Sequence, residues 1–155
     1  MARQNVAVLT AACAAIGVMA AIPPVGWAGQ TAPGTVDVPT GEVDLGSVEL
    51  PRRVMANGRT LTSGTYDLRV TAESANIDAP GQLAVLERWV EFRQGDEVKG
   101  REVVSIVPQS EIASVAKSTP PGSGASRVEL LKENEYLRVW VNKHNTHYFI
   151  HLVAG

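Results

Sequence analysis

Cysteine is nearly absent. The 155-residue chain has one, Cys13, and it sits in an apolar run close to the N-terminus. Beyond that run there is no thiol, so disulfide staples, thiol nucleophiles and cysteine metal ligands are excluded from the rest of the chain. Excess charge of one sign is missing too: 14 Lys and Arg stand against 16 Asp and Glu, for a formal charge of -2. No basic block interrupts this balance, which removes the electrostatic case for nucleic acid. No repeat of solenoid length occurs. There is no Gly-x-Ser-x-Gly elbow, and the glycines around Ser123 lie in a Pro-rich loop with no helix after it, a poor phosphate cradle. Aromatic residues make up only 5%, so the position of each one carries information.

The apolar run itself has the build of an export signal. Met1-Ala-Arg-Gln-Asn is a short n-region with one positive charge, and Val6 to Ile22 is apolar and Ala-rich. Pro23-Pro24 breaks it, and Gly26-Trp27-Ala28 places small residues at the -3 and -1 positions of a cleavage site after Ala28. An uncleaved membrane anchor is the alternative, but the run is short for a span. A lipoprotein would need a Leu-like residue three before Cys13, where Thr10 stands. Residues 1–28 are therefore read as a signal peptide, 29–41, with Pro33, Gly34 and Pro39, as a flexible linker, and 42–155 as one folded domain. That domain must rest on its apolar core, and 45% hydrophobic residues overall suffices.

Within the domain the pattern is β throughout. Val43, Leu45, Val48 and Leu50 alternate loosely before Pro51, giving one strand or two short ones. Val54 to Leu61 reads as a tight hairpin turning at Asn57-Gly58. From Gly64 a strand puts Tyr66, Leu68 and Val70 on one face and Thr65, Asp67, Arg69 and Thr71 on the other. Ala72 to Gln82 reads as a loop. The central feature is Leu83 to Val107, two long β runs around Gln94-Gly95-Asp96. A three-residue loop there pairs Phe92 with Val98, Val90 with Gly100 and Leu86 with Val104. It sets Arg93 against Glu97, Glu91 against Lys99 and Trp89 against Arg101 on the other face, and opposes Arg88 to Glu102. A two-residue loop would pair Phe92 with Lys99 and mix apolar and charged residues, so the first register is favoured. Leu86, Val90, Phe92, Val98, Val104 and Ile106 then face the core.

After Pro108, Ser110 is placed to cap a short helix over 111–117, with Ile112, Val115 and Ala116 on one side. Ser118 to Ser126 reads as a mobile loop. Arg127 to Lys132 and a turn at Glu133-Asn134-Glu135 lead to a last hairpin around His144-Asn145. There Val141 meets Tyr148, Val139 meets Ile150 and Leu137 meets Leu152 toward the core. Asn142 meets His147, Trp140 meets Phe149 and Arg138 meets His151 on the other face. The expected fold is all-β, an antiparallel β-sandwich or small open barrel of roughly seven to nine strands, with one short helix near 110–117.

Gly58-Arg-Thr-Leu61-Thr-Ser-Gly64-Thr65-Tyr66-Asp-Leu68-Arg-Val70 resembles a turn, Leu, Gly-Thr-Tyr and alternating-strand pattern of small secreted bacterial β-sandwich domains. Some of those are uncharacterised, and others are Ig-like or transthyretin-like accessory domains of larger enzymes. The resemblance covers about a tenth of the chain and implies a fold, not an activity.

Candidate chemistry is sparse. His144, His147 and His151 suggest a metal, but on a strand four residues span roughly 13 Å, beyond what one ion bridges. Glu87 and Glu91 are separated in the same way, wider than the roughly 5–10 Å of glycosidase carboxylate pairs. No catalytic residue, metal site or cofactor is assigned. The remaining signal is aromatic: Trp140 and Phe149 beside Arg138 and His147 on one hairpin, and Trp89 beside Arg101 on the other. If the hairpins share a sheet, these six residues form an amphipathic patch that could stack a sugar or receive a protein, unless the helix, a loop or a second sheet covers the rings. The expected function is an exported, non-enzymatic binding or envelope-associated module, periplasmic or secreted, for an unknown protein or carbohydrate. The alternatives are a small periplasmic hydrolase with a carboxylate or histidine site and a subunit of a larger envelope assembly. N-terminal sequencing of the exported protein is expected to begin at Gly29; a mature chain still starting at Met1 or Ala2 would remove the signal-peptide reading.

Overall fold

A computed structural model of the chain describes residues 38–75 and 86–155. The expected signal peptide and most of the linker lie outside the described residues. Nine strands form one sheet. In chain order they are β1 (Val43–Leu50), β2 (Val54–Ala56), β3 (Arg59–Leu61), β4 (Gly64–Ser74), β5 (Glu87–Gln94), β6 (Glu97–Pro108), β7 (Ser126–Leu131), β8 (Tyr136–Lys143) and β9 (Thr146–Ala154), with α1 (Ile112–Val115) after β6. Across the sheet the order is β1-β4-β5-β6-β9-β8-β7, all antiparallel, and the β2–β3 hairpin joins the far end of β9. The sheet curls into an open half-barrel, so the barrel alternative holds and no second sheet exists among the described residues.

The inward face follows from alternation. Tyr66, Leu68 and Val70 on β4, Val90 and Phe92 on β5, Val104 and Ile106 on β6, and Leu137, Val139, Tyr148, Ile150 and Leu152 on the last hairpin are all buried in one apolar cluster. The β8–β9 register is as expected, from Tyr136↔Val153 to Lys143↔Thr146. His144 and Asn145 take left-handed φ of 52° and 56° in its two-residue loop, the conformation a I′ turn needs. The Val54–Leu61 hairpin also forms as read, with Asn57 and Gly58 left-handed at 44° and 78°.

The central hairpin departs from its expected register. Its loop is the two-residue Gly95-Asp96, with Gln94 across from Glu97 and Arg93 across from Val98, and a bulge then shifts the ladder so that Phe92 faces Gly100. Gly95 has φ of 59°, which suits the first position of a II′-type turn. Lys99 is the extra residue. The bulge returns Val90 and Phe92 to the core side, so the inward face survives while its partners change. Val98 is displaced from the core and half-buried. Arg93 and Lys99 pair along their own strands with Glu91 and Glu97, at 3.2 and 2.6 Å, and not across the hairpin. A Cβ added at Gly100 would lie 3.1 Å from the Leu61 side chain, a contact tighter than usual.

Arg88 and Glu102 do not oppose one another: Arg88 pairs with Val104 and Glu102 with Val90. Arg88 is only 2% exposed. Its Nε donates to Thr71 O at 2.7 Å and its Nη1 to Pro39 O at 2.6 Å, while Nη2 reaches Thr71 O and Gly41 O. The buried charge is thus solvated by carbonyls, not by a carboxylate, and it ties residues 39–41 to the barrel. Val38 is buried as well, so the described end of the expected linker packs on the domain. β4 runs to Ser74, beyond the expected strand end; residues 76–82 of the expected loop lie outside the described residues. No helix among the described residues is long and apolar enough to cross a membrane.

Replacing Arg88 with Met removes the donor to three carbonyls at once. Urea unfolding is expected to show a loss of about 2–4 kcal/mol, with a new proteinase K cut between Pro39 and Val43. Unchanged stability and no cut would show that the guanidinium does not hold this segment.

Candidate functional site

The two hairpins do share a sheet, because β6 pairs with β9 from Val104↔Ile150 to Pro108↔Thr146. Their outward rings nonetheless fall in different places. Trp89 and Trp140 are three strands apart, a separation of about 15 Å at ordinary strand spacing. The expected six-residue patch is therefore two clusters.

The first cluster is covered. Trp140 and His147 are fully buried and Phe149 is 5% exposed, so none of these three presents a ring to solvent. The helix supplies one side of the cover: Ile112 is buried against Trp140 and Phe149, with Val107 and Ala116 beside them. The helix is shorter than expected, Ile112–Val115, and its N-cap is Glu111, not Ser110, with no side-chain capping bond. It forms because Ile112 has this apolar surface to bury, in line with the dependence of short helices on packing. The loop that follows is also held: Asn142 Nδ2 donates to Pro121 O at 2.9 Å, and the backbone of Asn142 bonds to Gly124 and Ala125.

Arg138 and Arg127 cover Trp140 further, their guanidinium carbons 5.3 and 5.6 Å from the ring centroid. Glu129 holds both, accepting from Arg138 Nε at 2.9 Å and from Arg127 Nη1 at 3.1 Å. Partial burial pushes the Glu129 carboxyl upward, but these two arginines outweigh it and hold the group below its usual value. Arg138 is half-buried and across from His151.

His147 is built in as a neutral ring. Trp140 Nε1 donates to its Nδ1 at 3.1 Å, so the proton sits on Nε2, which donates to Gln109 Oε1 at 2.8 Å. Protonating Nδ1 would set two donors against each other. Burial lowers the His147 pKa, and burial with the nearby Arg138 lowers that of exposed His151. The three histidines lie at a turn, inside the cover and on the outer face, and no metal-type cluster occurs among the described residues.

The second cluster is open. Trp89 is half-buried on the outer face and Arg101 is exposed. Trp89 lies opposite Val103, not Arg101, yet the Arg101 guanidinium sits 4.4 Å from the indole centroid along the diagonal. The contact expected from the sequence is thus made through a different register. Arg101 also reaches Glu73 at 3.4 Å, an ion pair open to solvent on both sides.

Two depressions elsewhere bear on chemistry. One, lined by Asp44, Asp67, Arg69, Arg93 and Asp96, gathers carboxylates, but Asp44 accepts the Gly46 N–H at 2.7 Å and Asp67 accepts the Ser47 hydroxyl at 2.5 Å. The other lies between the β2–β3 hairpin and β6, with Arg59 and Arg101 on its walls. Sequence reading missed Arg59, because β2–β3 comes beside β6 only through its pairing with β9. No family model, curated protein or solved structure matches this chain.

The acid sensitivity of His147 is open to test. With the folded pKa depressed, its contribution to stability is present in full above the unfolded value of about 6.5 and is lost as pH falls below it, by at most ~1.4 kcal/mol per pH unit. A Gln109→Glu variant places a carboxylate on the Nε2 proton and is expected to raise the His147 pKa and flatten this loss. Imidazole titration by NMR and urea unfolding between pH 7 and 5 read both; a wild-type pKa at or above 6.5 contradicts the assignment.

Proposed function

We propose that the protein is an exported, non-enzymatic binding module of the bacterial envelope, and that its contact surface is the outer face around Trp89 and Arg101. The observation that carries this is the half-open indole with a guanidinium stacked on it, while the Trp on the neighbouring hairpin, Trp140, is fully covered. An aromatic ring presenting apolar area with a polar neighbour is a usual anchor for sugars and for protein partners. Arg138 borders the covered cluster and belongs to the cover more than to the surface.

Export rests on the composition of residues 1–28, a short n-region, an apolar run and small residues before the cut site. A periplasmic or secreted destination also fits a downstream chain with no thiol to oxidise. The Gly64-Thr65-Tyr66 strand, with its resemblance to accessory domains of secreted enzymes, points the same way. In the domain Tyr66 is the buried anchor of that strand, edge-on to Phe92 with ring centroids 6.1 Å apart, so the resemblant residues serve the core and not the surface.

Affinity electrophoresis through gels containing soluble envelope polysaccharides tests the surface. Wild-type protein is expected to be retarded in at least one gel, and Trp89→Ala to migrate freely there with an unfolding midpoint within a few degrees of wild type. Equal retardation of both would move the contact away from Trp89.

A further inference from the structure

A row of side chains crosses the outer face near the end of β9. The strand pairings place Leu131 beside Tyr136, Tyr136 beside Val153, Val153 beside Met55 and Met55 beside Thr60. Their chain neighbours Leu137, Leu152 and Val54 are buried in the barrel, so by alternation the row points outward. Val153 is 50% exposed, and Leu131, Tyr136 and Met55 are half-buried. One exposed apolar residue is ordinary, whereas a contiguous apolar row is what contact surfaces are built on. Beside Val153, Leu131, Lys132, Tyr136 and His151 line a depression of about 380 Å³.

The row is flanked by charges of opposite sign. The Ala154 N–H donates to Glu135 O and the Gly155 N–H to Arg53 O. The β7–β8 turn therefore lies on one side of the end of β9, and Arg52-Arg53 on the other. Arg52, Arg53, Glu133 and Glu135 are all exposed, and none of them makes an ion pair among the described residues. Lys132 belongs to the same turn, but its Nζ rests on the Tyr136 ring, 5.1 Å from the centroid. The two carboxylates are left as the free charges of that flank.

We infer that this row is the contact face of a symmetric dimer of the chain, with the two-fold axis running along β9 past Val153. Rotation about that axis sets Val153 against its own copy and turns the row end for end. The second copy's Met55 arrives over Tyr136 and the depression, and its Arg52-Arg53 comes opposite Glu133 and Glu135. The same contacts recur on the other side of the axis, as an isologous interface requires. Methionine, unbranched and flexible, suits an irregular hollow of this kind. The charge pattern selects a second copy over a foreign partner. The face carries both signs, one on each flank, and its own reversed image meets both. Trp89 lies on β5, away from this row, so the dimer goes beyond the surface reading above and stands without it.

Sedimentation velocity of the full chain, from micromolar to millimolar concentration, is expected to move from monomer toward dimer. Val153→Glu sets two carboxylates face to face on the axis and is expected to weaken association about ten-fold or more. The double variants Arg52→Glu/Arg53→Glu and Glu133→Lys/Glu135→Lys are each expected to weaken it similarly, because like charges then meet on both flanks. An equimolar mixture of the two is expected to regain the dimer, since one is acidic and the other basic on both flanks. Recovery in the mixture also shows that both variants fold. Amide NMR spectra across the wild-type dilution series read the surface without any variant, with shifts expected at Met55, Tyr136 and Val153. A wild-type chain that stays monomeric at every concentration overturns the dimer. So does association that survives Val153→Glu, or dilution shifts that leave the row unmoved. A mixture of the double variants that stays monomeric overturns the two-fold arrangement.

Discussion

Five residue pairs between β6 and β9 decide what this molecule is. Each of the two long hairpins could form alone as a local structure, and neither would bury its apolar face. Joining them edge to edge makes a single curved sheet, and curvature then brings Val104, Ile106, Tyr148 and Ile150 against the side chains of β4 and β8. The pairing covers only the first half of β9. Past Ile150 the two strands separate, and the β2–β3 hairpin takes the vacated place through Val54 and Met55.

Among the described residues no second sheet covers the outer face of this one-layer barrel, and the two ends of that face are treated differently. Over β8 and β9 it builds a small second core from a single turn of helix, a pinned loop and a pair of arginines held by Glu129. Inside that cover the His147 ring is fully bonded, its two nitrogens divided between Trp140 and Gln109. Over β5 and β6 nothing comparable is laid down among the described residues, and Trp89 is half-buried. The contrast is what gives Trp89 its interest: the same residue type, on the same face, is fully enclosed at one site and left open at another.

Much of this was legible in the chain. Turns that demand left-handed residues announce themselves, so Asn57-Gly58 and His144-Asn145 fixed their hairpins and the register followed. Alternation in Tyr66-Leu68-Val70 fixed a face. The bulge at Lys99 was not legible, because a single inserted residue leaves the alternation on either side intact and only changes who faces whom. The same holds for Arg88. A charged residue in an apolar alternation points to a carboxylate partner, and Glu102 was at hand, but backbone carbonyls from two other segments solvate it instead. The patch was half legible. The sequence placed Trp140 and Phe149 across from each other, yet whether one turn of helix would land on them depends on the path after Pro108, which no local pattern records.

The half-barrel leaves β1 and β7 each with one side unpaired among the described residues. A long straight rim of this kind invites other chains to dock on it as further strands. Here β1 is broken at Gly46, where φ reaches 85° and the ladder to β4 slips, and β7 carries Arg127 and Glu129 within its six residues. A visiting strand would find neither an unbroken row of amides on the first nor an uncharged one on the second. The kink at one glycine thus serves solubility: it lets the barrel stay unsealed without becoming a seed for fibres.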